Sequence, residues 1–312
     1  MKREIVAILP RLPEGSILPE RALAHHFGDW SIIVSTARMP ARFGRALRRQ
    51  RIQDAPRRLR QLEDLMALGP VLPAVPGQIV PVEVLGDLCA ANPVMLQRLC
   101  ARATGKVQYQ ITVSWTAADV LDRFRDTAEI APLFARPVVT AEAMGRAVTR
   151  LATRLSLRIL SELEPIGAEI VELPTEDGMV CNLVLLIDAV RIPAFETAVE
   201  AVDAIWPEGF RIQQIGPAPA TSFCAFRVRR YGPRSLARAR RALDVSPGCT
   251  TQDIAQARQT CLRQAGAPVE GIRNAAEVLT AQARLRTAPD HVFLLELHSE
   301  AARPATPQAA IA

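Results

Sequence analysis

The 312-residue chain is poor in several kinds of segment, and each shortage excludes a class of protein. No apolar run approaches the roughly 18–20 residues that a membrane-spanning helix requires. The apolar stretch near the N-terminus, Ile5–Leu9, is also too short for a secretory signal peptide. We therefore expect a cytoplasmic protein that makes no contact with a membrane.

Cysteine and histidine are few and lack the spacing of metal sites. The six cysteines form no Cys-x-x-Cys pair, and none has a histidine at zinc-ligand distance. His25 and His26 are adjacent, so their side chains point in different directions. Most cysteines lie among apolar residues, where a thiol packs as a small hydrophobic group. The sequence therefore predicts buried thiols and no metal site.

Motifs of catalysis and nucleotide binding are also missing. Gly105-Lys106 resembles the end of a phosphate-binding loop, but Val107 stands where that motif needs Ser or Thr. No Gly-x-Gly-x-x-Gly opens a helix after a strand, and no Gly-x-Ser-x-Gly turn is present. We therefore predict that the protein is not an enzyme, with no catalytic residue, no cofactor and no small-molecule substrate.

Positive charge is abundant but comes almost only from arginine, since Lys2 and Lys106 are the sole lysines. Nine arginines and one acidic residue lie in Arg38–Arg60, and twelve arginines and five acidic residues lie in Arg227–Asp290. Phe43 is the one aromatic residue in the first cluster, so no stacking platform for bases is evident. A nucleic-acid-binding or regulatory module that uses Arg38–Arg60 and Arg227–Arg241 is the alternative function, less favoured than a solvated or protein-docking surface.

The first half of the chain predicts both strands and helices. Short strands are expected at Glu4–Leu9 and Ser31–Ser35, then a helix at Arg57–Leu68, then two helices divided at Asn92-Pro93. The segment Val107–Trp115 alternates apolar and polar residues strictly, which predicts a half-buried strand. The residues alone leave open whether this strand joins the preceding sheet or the following one.

The second half follows a recognisable order of elements. A long helix at Ala141–Leu163 precedes a hairpin at Asp177-Gly178, a helix opened by Pro193 and a strand at Phe210–Ile215. This order is the split βαβ, ferredoxin-like pattern. A further strand is expected at Ser222–Val228.

The predicted fold class is α+β: two consecutive α/β domains, the second ferredoxin-like, with a small helical C-terminal appendage. After Gly232-Pro233 the chain becomes helical and basic, and a short strand is expected at His291–His298. The expected boundaries are an N-terminal domain at 1–125, a ferredoxin-like domain at 137–231, an appendage at 233–290 and a disordered tail at 299–312.

Four arginines on the long helix stand four residues apart. Residues at this spacing are neighbours on a helix surface, and successive steps drift by about 40° around the axis. The row therefore curves around the outer side of the helix. It is either a solvated face or a docking surface for an acidic partner, and it comprises Arg146, Arg150, Arg154 and Arg158.

Two segments together resemble a known family. Residues 71–115 read VLPAVPGQIVPVEVLGDLCAANPVMLQRLCARATGKVQYQITVSW. This segment resembles the conserved stretch of the gas vesicle GvpL/GvpF family. The features that carry the resemblance are "VLP", the Gly that ends a short segment, the two helices, the "GK" and the alternating strand ending in Trp. Residues 210–228 read FRIQQIGPAPATSFCAFRV and look like that family's closing strand, its "GP-x-P" turn and the strand after it. The resemblance extends over roughly residues 1–230.

The chain departs from the family pattern in both segments. Val75-Pro76-Gly77 stands where the family usually has Arg-Phe-Gly, and the family's aromatic "GPWPPY" is reduced to GPAPAT at Gly216–Thr221. If those aromatic residues contact a partner, this chain makes a different contact. The chain is therefore identified as a divergent member.

The segment Arg238–Arg286 is similar to a J-domain in its helix–turn–helix proportions. The His-Pro-Asp tripeptide that engages the chaperone ATPase is missing, because the turn here runs from Gly266 to Glu270. The resemblance implies a J-like helical addition that does not stimulate a chaperone. An ordinary three-helix appendage is the equally supported reading.

The family resemblance implies an accessory or minor structural protein of gas vesicles, which provide buoyancy. Such a protein is expected to bind the apolar shell protein, together with other gas vesicle accessory proteins, and to prevent its aggregation during nucleation and assembly. Contact is expected at two proline-rich turns and at the arginine row. These residues are Pro73, Pro76, Gly77, Gly216, Pro217, Pro219, Phe223, Arg146, Arg150, Arg154 and Arg158.

Overall fold

The structure is a computed structural model that describes residues 1–36, 45–135, 138–264, 268–285 and 289–298. Within those ranges, the side chains of residues 45–54 and 117–118 are not described. The expected disordered tail at 299–312 lies outside the described residues.

The strands follow one another along the whole chain. In order they are β1 (Lys2–Pro10), β2 (Ala22–Phe27), β3 (Trp30–Ser35), β4 (Leu72–Pro73), β5 (Ile79–Pro81), β6 (Lys106–Ser114), β7 (Glu169–Glu172), β8 (Met179–Asp188), β9 (Arg211–Ala218), β10 (Phe226–Tyr231) and β11 (Val292–Leu297).

The helices lie between these strands, singly or in runs of two or three. In order they are α1 (Arg45–Met66), α2 (Leu85–Ala91), α3 (Pro93–Ala103), α4 (Ala117–Arg123), α5 (Ala131–Phe134), α6 (Ala141–Leu163), α7 (Ile192–Asp203), α8 (Thr221–Cys224), α9 (Pro233–Leu243), α10 (Thr251–Leu262) and α11 (Val269–Ala283).

The chain divides into two compact units. Unit 1 comprises residues 1–104 and 224–298, and unit 2 comprises residues 105–223. This division differs from the expected ranges 1–125, 137–231 and 233–290. The strand β6 and helices α4 and α5 belong to unit 2, and the C-terminal helices belong to unit 1.

In unit 1, α1 packs on an antiparallel sheet in the order β2-β3-β1-β4, with β5 also paired to β1. Leu62 and Leu65 of α1 are buried with Val6 and Leu9 of β1, since these apolar faces can be removed from water only against each other. The helix begins at Arg45 and continues through Pro56, twelve residues earlier than the expected start at Arg57.

The C-terminal part of unit 1 forms a second apolar core. Buried side chains of α9, α10 and α11 gather with Ala91 of α2 and with Val292 and Leu294 of β11. Asn92, which is 5% exposed, joins these parts through its side-chain amide. Its Nδ2 donates to the carbonyl oxygen of Phe293 at 3.0 Å, and its Oδ1 accepts from the amide of Leu295 at 2.9 Å. The expected appendage is therefore part of the core of unit 1.

Unit 2 contains the ferredoxin-like arrangement. Its sheet has the order β7-β8-β6-β9, and every neighbouring pair is antiparallel. The helices α6 and α7 provide the crossovers, as the split βαβ pattern requires. The open question about Val107–Trp115 is thereby resolved, because β6 lies in the centre of this sheet.

The strand expected at Ser222–Val228 takes a different course. Thr221–Cys224 is the short helix α8, and the strand that follows, β10, pairs with β11 in unit 1. Gln108 of β6 holds the helical turn in unit 2, donating to Thr221 Oγ1 at 3.2 Å and accepting from the amide of Ser222 at 2.9 Å. These two hydrogen bonds use the Thr221 hydroxyl oxygen and the Ser222 amide, which an extended strand would place elsewhere.

Candidate functional site

The proline-rich turn after α1 lies in unit 1 and is supported by a buried residue. Pro73 is buried in β4, where it stands opposite Ala7 of β1. Pro76 is exposed, and Gly77 is half-buried with φ +86°, a left-handed conformation that favours glycine. Pro76 and Gly77 can therefore contact a partner, whereas Pro73 supports the turn from the core.

Arg58 of α1 holds this turn in place. Its guanidinium donates to Glu4 Oε1 at 3.0 Å and to the carbonyl oxygens of Ile5, Val6 and Ala74 at 3.2, 3.2 and 2.7 Å. Glu4 Oε1 also accepts from the amide of Gly77 at 2.8 Å. Burial lowers the pKa of Arg58, and the contact with Glu4 opposes that shift. Because the acceptors come from two separate segments, one side chain sets the position of the turn.

The same turn is joined to the C-terminal part of unit 1. The amide of Val75 donates to the carbonyl oxygen of Phe226 at 2.8 Å, and Gln78 Oε1 accepts from the amide of Val228 at 2.8 Å. Ala74 and Phe226 form a parallel β-bridge. Hydrogen bonds therefore fix the backbone before the exposed residue Pro76 and the side chain that follows the turn.

The second proline-rich turn ends the edge strand β9 in unit 2. Gly216 and Pro217 are exposed, and Gly216 has φ +138°. A Cβ on Gly216 would lie 2.7 Å from the carbonyl oxygen of Gln108 and 2.7 Å from the ring of Tyr109, so the strand needs glycine here. Pro219 is buried and Phe223 is only 1% exposed. Those two residues support the turn and do not present a contact surface.

The strand β9 itself forms an open edge. It pairs with β6 alone among the strands that the structure describes. Residues 211 and 213–217 are exposed, and Ile215 is an exposed large apolar side chain at 46%. Backbone groups on the free side of an edge strand can pair with another chain. The edge next to Gly216 is therefore a surface on which an extended segment can dock.

The centre of the same sheet carries a polar network. Gln110 Nε2 and Thr112 Oγ1 both donate to Asn182 Oδ1, at 2.9 and 3.3 Å. Asn182 Nδ2 in turn donates to the carbonyl oxygen of Pro174 at 3.3 Å. These groups satisfy one another and make the sheet rigid beside its open edge.

The arginine row lies on the exposed side of α6. Arg146 forms an ion pair with Glu142, and Arg154 donates to both oxygens of Glu129 at 2.7 and 3.3 Å. Desolvation is the largest single effect on Glu129 and opposes its ionisation, but the hydrogen bond and charge of Arg154, together with hydrogen bonds from the Glu129 backbone and Thr127, lower the pKa of Glu129. Arg150 and Arg158 are exposed and make no ion pair with any residue that the structure describes.

The expected contact residues are divided between the two units. Pro73, Pro76 and Gly77 belong to unit 1, whereas the others belong to unit 2. Burial removes Pro73, Pro219 and Phe223 from the set that a partner can touch. The exposed candidates that remain are Pro76, Gly77, Gly216, Pro217, Arg146, Arg150, Arg154 and Arg158.

Several arginines of the alternative nucleic-acid surface already have protein partners. Arg57 forms an ion pair with Glu20, Arg229 with Glu296, and Arg58 is used inside unit 1. Residues 37–44 of the first cluster lie outside the described residues, as do the side chains of residues 45–54. Among the described arginines, these pairings reduce the positive charge free to meet phosphates.

The cysteines show little reactivity where they are buried. Cys89, Cys181 and Cys224 are buried, whereas Cys100, Cys249 and Cys261 are partly exposed. Burial raises the pKa of Cys89 and Cys181 to about 12, which disfavours the reactive thiolate. Within the described ranges, no group of three or more His, Cys, Asp or Glu side chains could hold a metal ion.

A cavity of about 590 Å³ lies among the C-terminal helices of unit 1. Two of its polar side chains bond to the protein: Arg240 donates to Gln282 Oε1 at 3.0 Å, and Gln282 donates to the carbonyl oxygen of Pro289 at 3.0 Å. Thr250 forms a capping box with Asp253 at the start of α10. These contacts hold the helices together.

Sequence reasoning missed two features of these surfaces. The Arg58–Glu4 pair joins residues 54 apart, so no local pattern could have found it. A second feature was available in the sequence, because Glu196, Glu200 and Asp203 follow the helical spacing i, i+4, i+7 on α7. All three are exposed and form an acidic row on α7 in unit 2.

Comparison with known proteins identifies the family. The model of the family "Gas vesicle synthesis protein GvpL/GvpF" matches residues 10–225. The chain belongs to the GvpL/GvpF family of gas vesicle proteins. A comparison with curated protein sequences gave no match.

Two solved structures of gas vesicle proteins have a similar fold. The crystal structure of GvpF from Anabaena sp. PCC7120 superposes with a TM-score of 0.58 at 17% identity, covering 70% of this chain and 96% of that one. GvpF from Microcystis aeruginosa gives a TM-score of 0.54 at 18% identity, covering 72% of this chain and 98% of that one. The family and the α+β fold expected from the sequence are thereby confirmed.

The family match ends before the C-terminal helices. Its last residue is 225, whereas α9 begins at Pro233. The J-like reading of Arg238–Arg286 stays a prediction, and residues 265–267 of its turn lie outside the described residues. No helix among the described residues is long and apolar enough to cross a bilayer.

Proposed function

We propose that this GvpL/GvpF family member is a non-enzymatic accessory or minor structural protein of the gas vesicle. It binds the apolar shell protein and prevents its aggregation while vesicles nucleate and grow. The observation that carries the proposal is the family match over residues 10–225. Gas vesicles, in the cytoplasm, are its proposed location.

The physical need for such a protein is clear. A subunit that walls off gas exposes a large apolar surface before assembly, and large apolar patches aggregate. An unassembled β-rich subunit also has edges that pair with one another. A partner that covers either surface lowers the concentration of subunit free to aggregate.

The edge of β9 is the surface that we assign to the shell protein. Its exposed residues include Ile215, an apolar side chain beside the exposed Gly216 and Pro217. An extended shell-protein segment would pair with the free backbone of β9 and pack an apolar side chain against Ile215. The central polar network of Gln110, Thr112 and Asn182 keeps that edge in position.

The experiment dilutes denatured shell protein into buffer with the purified full-length chain and follows aggregation by light scattering. Ile215→Lys places a charge on the edge, which blocks strand pairing. The matched control is Ile17→Lys, because Ile17 is 89% exposed on a loop of unit 1. We expect the wild-type chain and the control to suppress scattering in proportion to their concentration, and Ile215→Lys to do so less.

Two results would contradict the proposal at different levels. If the wild-type chain neither suppresses scattering nor captures shell protein in a pull-down, the assigned function is wrong. If Ile215→Lys acts as well as the wild type, the function stands and the β9 edge is not the binding surface.

A further inference from the structure

The open edge of β9 has two faces, and α7 covers only one of them. Ile215 of β9 pairs with Gln110 of β6, and residues that pair across two strands share a face of the sheet. Tyr109, the neighbour of Gln110, points to the other face, where its ring packs on Phe195 of α7 at 4.4 Å between centroids. Ile215 therefore lies on the face away from α7.

The acidic row borders the other face. Glu196, Glu200 and Asp203 each follow a buried or half-buried apolar residue of α7, so they share one flank, about 100° from its inward side. The helix leads from β8 to β9, which lies beyond β6 and runs parallel to β8. Such crossovers are right-handed, and in that hand the acidic flank faces β9 and not α6.

A second observation places Glu196 beside the end of β9. Burial, and then the negative charge of Glu196, raise the pKa of Tyr109. The Tyr109 ring lies 2.7 Å from the position that a Cβ of Gly216 would take. Because α7 and β9 run antiparallel, Asp203 at the end of the helix lies toward the start of the strand. The acidic row therefore follows the length of the open edge.

These charges are not used by the described part of the chain. None of the three acidic side chains forms an ion pair with a residue that the structure describes. Arg211, the exposed cation of β9, pairs with Ser114 and stands four residues from Ile215, so it lies on the face away from α7. The edge thus presents negative charge on one face, and Ile215 with Arg211 on the other.

We propose that the shell-protein segment that docks on β9 is a strand in which basic residues alternate with apolar ones. The inference rests on the proposed function, which assigns this edge to the shell protein. Successive side chains of an added strand point to opposite faces. Basic residues would lie on the α7 side next to the acidic row, and apolar residues would lie beside Ile215.

The charges select the segment and fix its register. Main-chain hydrogen bonds to an edge strand are available to any sequence, so selection depends on the side chains. An acidic strand would be repelled by the acidic row. A slip of one residue would exchange the two sets of side chains, leaving the apolar residues at the acidic row and the basic residues facing Arg211.

The probe is a blocked nine-residue peptide in which lysine alternates with valine, and its binding to the full-length chain is measured by fluorescence anisotropy at low salt. Two other peptides have threonine or glutamate in place of each lysine. Exposed ion pairs are individually weak, so we expect three of them to make the lysine peptide bind about tenfold more tightly than the threonine peptide. The glutamate peptide should bind most weakly.

Two further peptide measurements separate strand pairing from general attraction between charges. An isomer with all its lysines at one end and all its valines at the other has the same charge but cannot place the two sets on opposite faces. It should bind more weakly than the alternating peptide. In about 1 M NaCl, where the Debye length is about 3 Å, the preference for lysine over threonine should largely disappear.

Substitutions locate the selectivity on α7. Glu196→Gln/Glu200→Gln/Asp203→Asn should remove the preference for the lysine peptide and leave binding of the threonine peptide unchanged. The matched control removes three exposed acidic charges at the β7 side of the same sheet and should keep the preference. It is Glu172→Gln/Glu176→Gln/Asp177→Asn. Circular dichroism and thermal melts establish that both variants are folded.

The shell protein itself provides the last comparison. In the light-scattering assay, the neutralised α7 variant should suppress aggregation less than the matched control. Equal suppression by the two variants would show that the docked shell segment is not basic, and would overturn the inference while the proposed function stands.

The peptides keep failure of the inference distinct from failure of the proposed function. A neutralised variant that still prefers lysine, or a grouped isomer that binds as well as the alternating peptide, would overturn the selection of a basic strand by the acidic row. If the wild-type chain selects the alternating lysine peptide but neither captures nor protects shell protein, the edge chemistry is supported and the shell protein is the wrong occupant.

Discussion

Arg58 shows how much of unit 1 depends on one side chain. Its guanidinium group donates hydrogen bonds to the Glu4 carboxylate and to three backbone carbonyl oxygens, and its side chain is 15% exposed. A carbonyl or carboxylate that loses such a donor inside the protein is left without water to replace it. The sequence offered nothing to distinguish Arg58 from its neighbours Arg57 and Arg60.

Replacing Arg58 by methionine should destabilise the protein by about 3 kcal/mol, because it removes the cation beside Glu4 and the donor to three backbone carbonyl oxygens. The free energy of unfolding is measured in urea. Arg60→Met, at an exposed position of the same helix, is the control and should change it by about 0.5 kcal/mol or less. The double variant Arg58→Met/Glu4→Gln should cost less than the sum of the single changes; strict additivity would contradict the proposed coupling.

His25 should make stability depend on pH. Burial, then His26, then Arg3 lower its pKa below the ordinary 6.5, and its buried Nε2 has no hydrogen-bond partner among the residues that the structure describes. The unfolded chain therefore binds the proton more readily, so stability is full above about pH 6.5 and falls on acidification toward the lowered pKa.

The measurement for His25 is a series of urea titrations between about pH 5 and 8, the interval in which histidine titrates. His25→Gln should remove the loss of stability that begins at about pH 6.5. His291→Gln is the control and should retain that loss, since His25 is unchanged. An identical pH profile for wild type and His25→Gln would show that other groups cause the dependence.

At the scale of elements, local patterns predicted much of the structure. The helix expected at Ala141–Leu163 has these bounds in α6, where Thr140 caps the first turn by accepting from the amide of Ala143 at 3.2 Å. The division at Asn92-Pro93 is also confirmed. The start of α1 was predicted wrongly, because apolar residues at helical spacing were taken to begin the helix at Arg57, whereas α1 begins at Arg45 and continues through Pro56.

The end of β9 offers a test of how tightly the open edge is held. Gly216→Ala should destabilise unit 2 by about 1–3 kcal/mol, since its Cβ meets the carbonyl oxygen of Gln108 and the Tyr109 ring. Gly145→Ala is the matched control, because that helical glycine has open space around it and alanine favours a helix by about 1 kcal/mol. Thermal melts compare the two, and equal stability of Gly216→Ala and wild type would be inconsistent with the contact.

At the scale of the whole molecule, unit 1 is formed by two separate segments of the chain, and unit 2 is inserted between them. The second segment of unit 1 begins at residue 224. The expected appendage is therefore integral to unit 1, whose C-terminal core contains Ala91 together with Leu236, Leu279 and Val292.

A truncation tests this organisation. A chain that ends at Tyr231 loses β11 and its hydrogen bonds to Asn92, and should lose cooperative unfolding of unit 1. The matched control ends at His298 and retains all described residues of that core. Unfolding is followed by calorimetry, and an unchanged transition in the shorter chain would show that residues 233–290 are an appendage after all.

The sequence by itself determined the family, the alternation of β6, the limits of α6 and the order of elements in unit 2. These features depend on residues close together in the chain, through periodicity and backbone preference. Only the tertiary structure decided that β6 lies in the sheet of unit 2, that β10 pairs with β11, and that Arg58 forms an ion pair with Glu4. Those contacts join residues that are far apart in the sequence. Which distant residues come into contact depends on how the whole core packs.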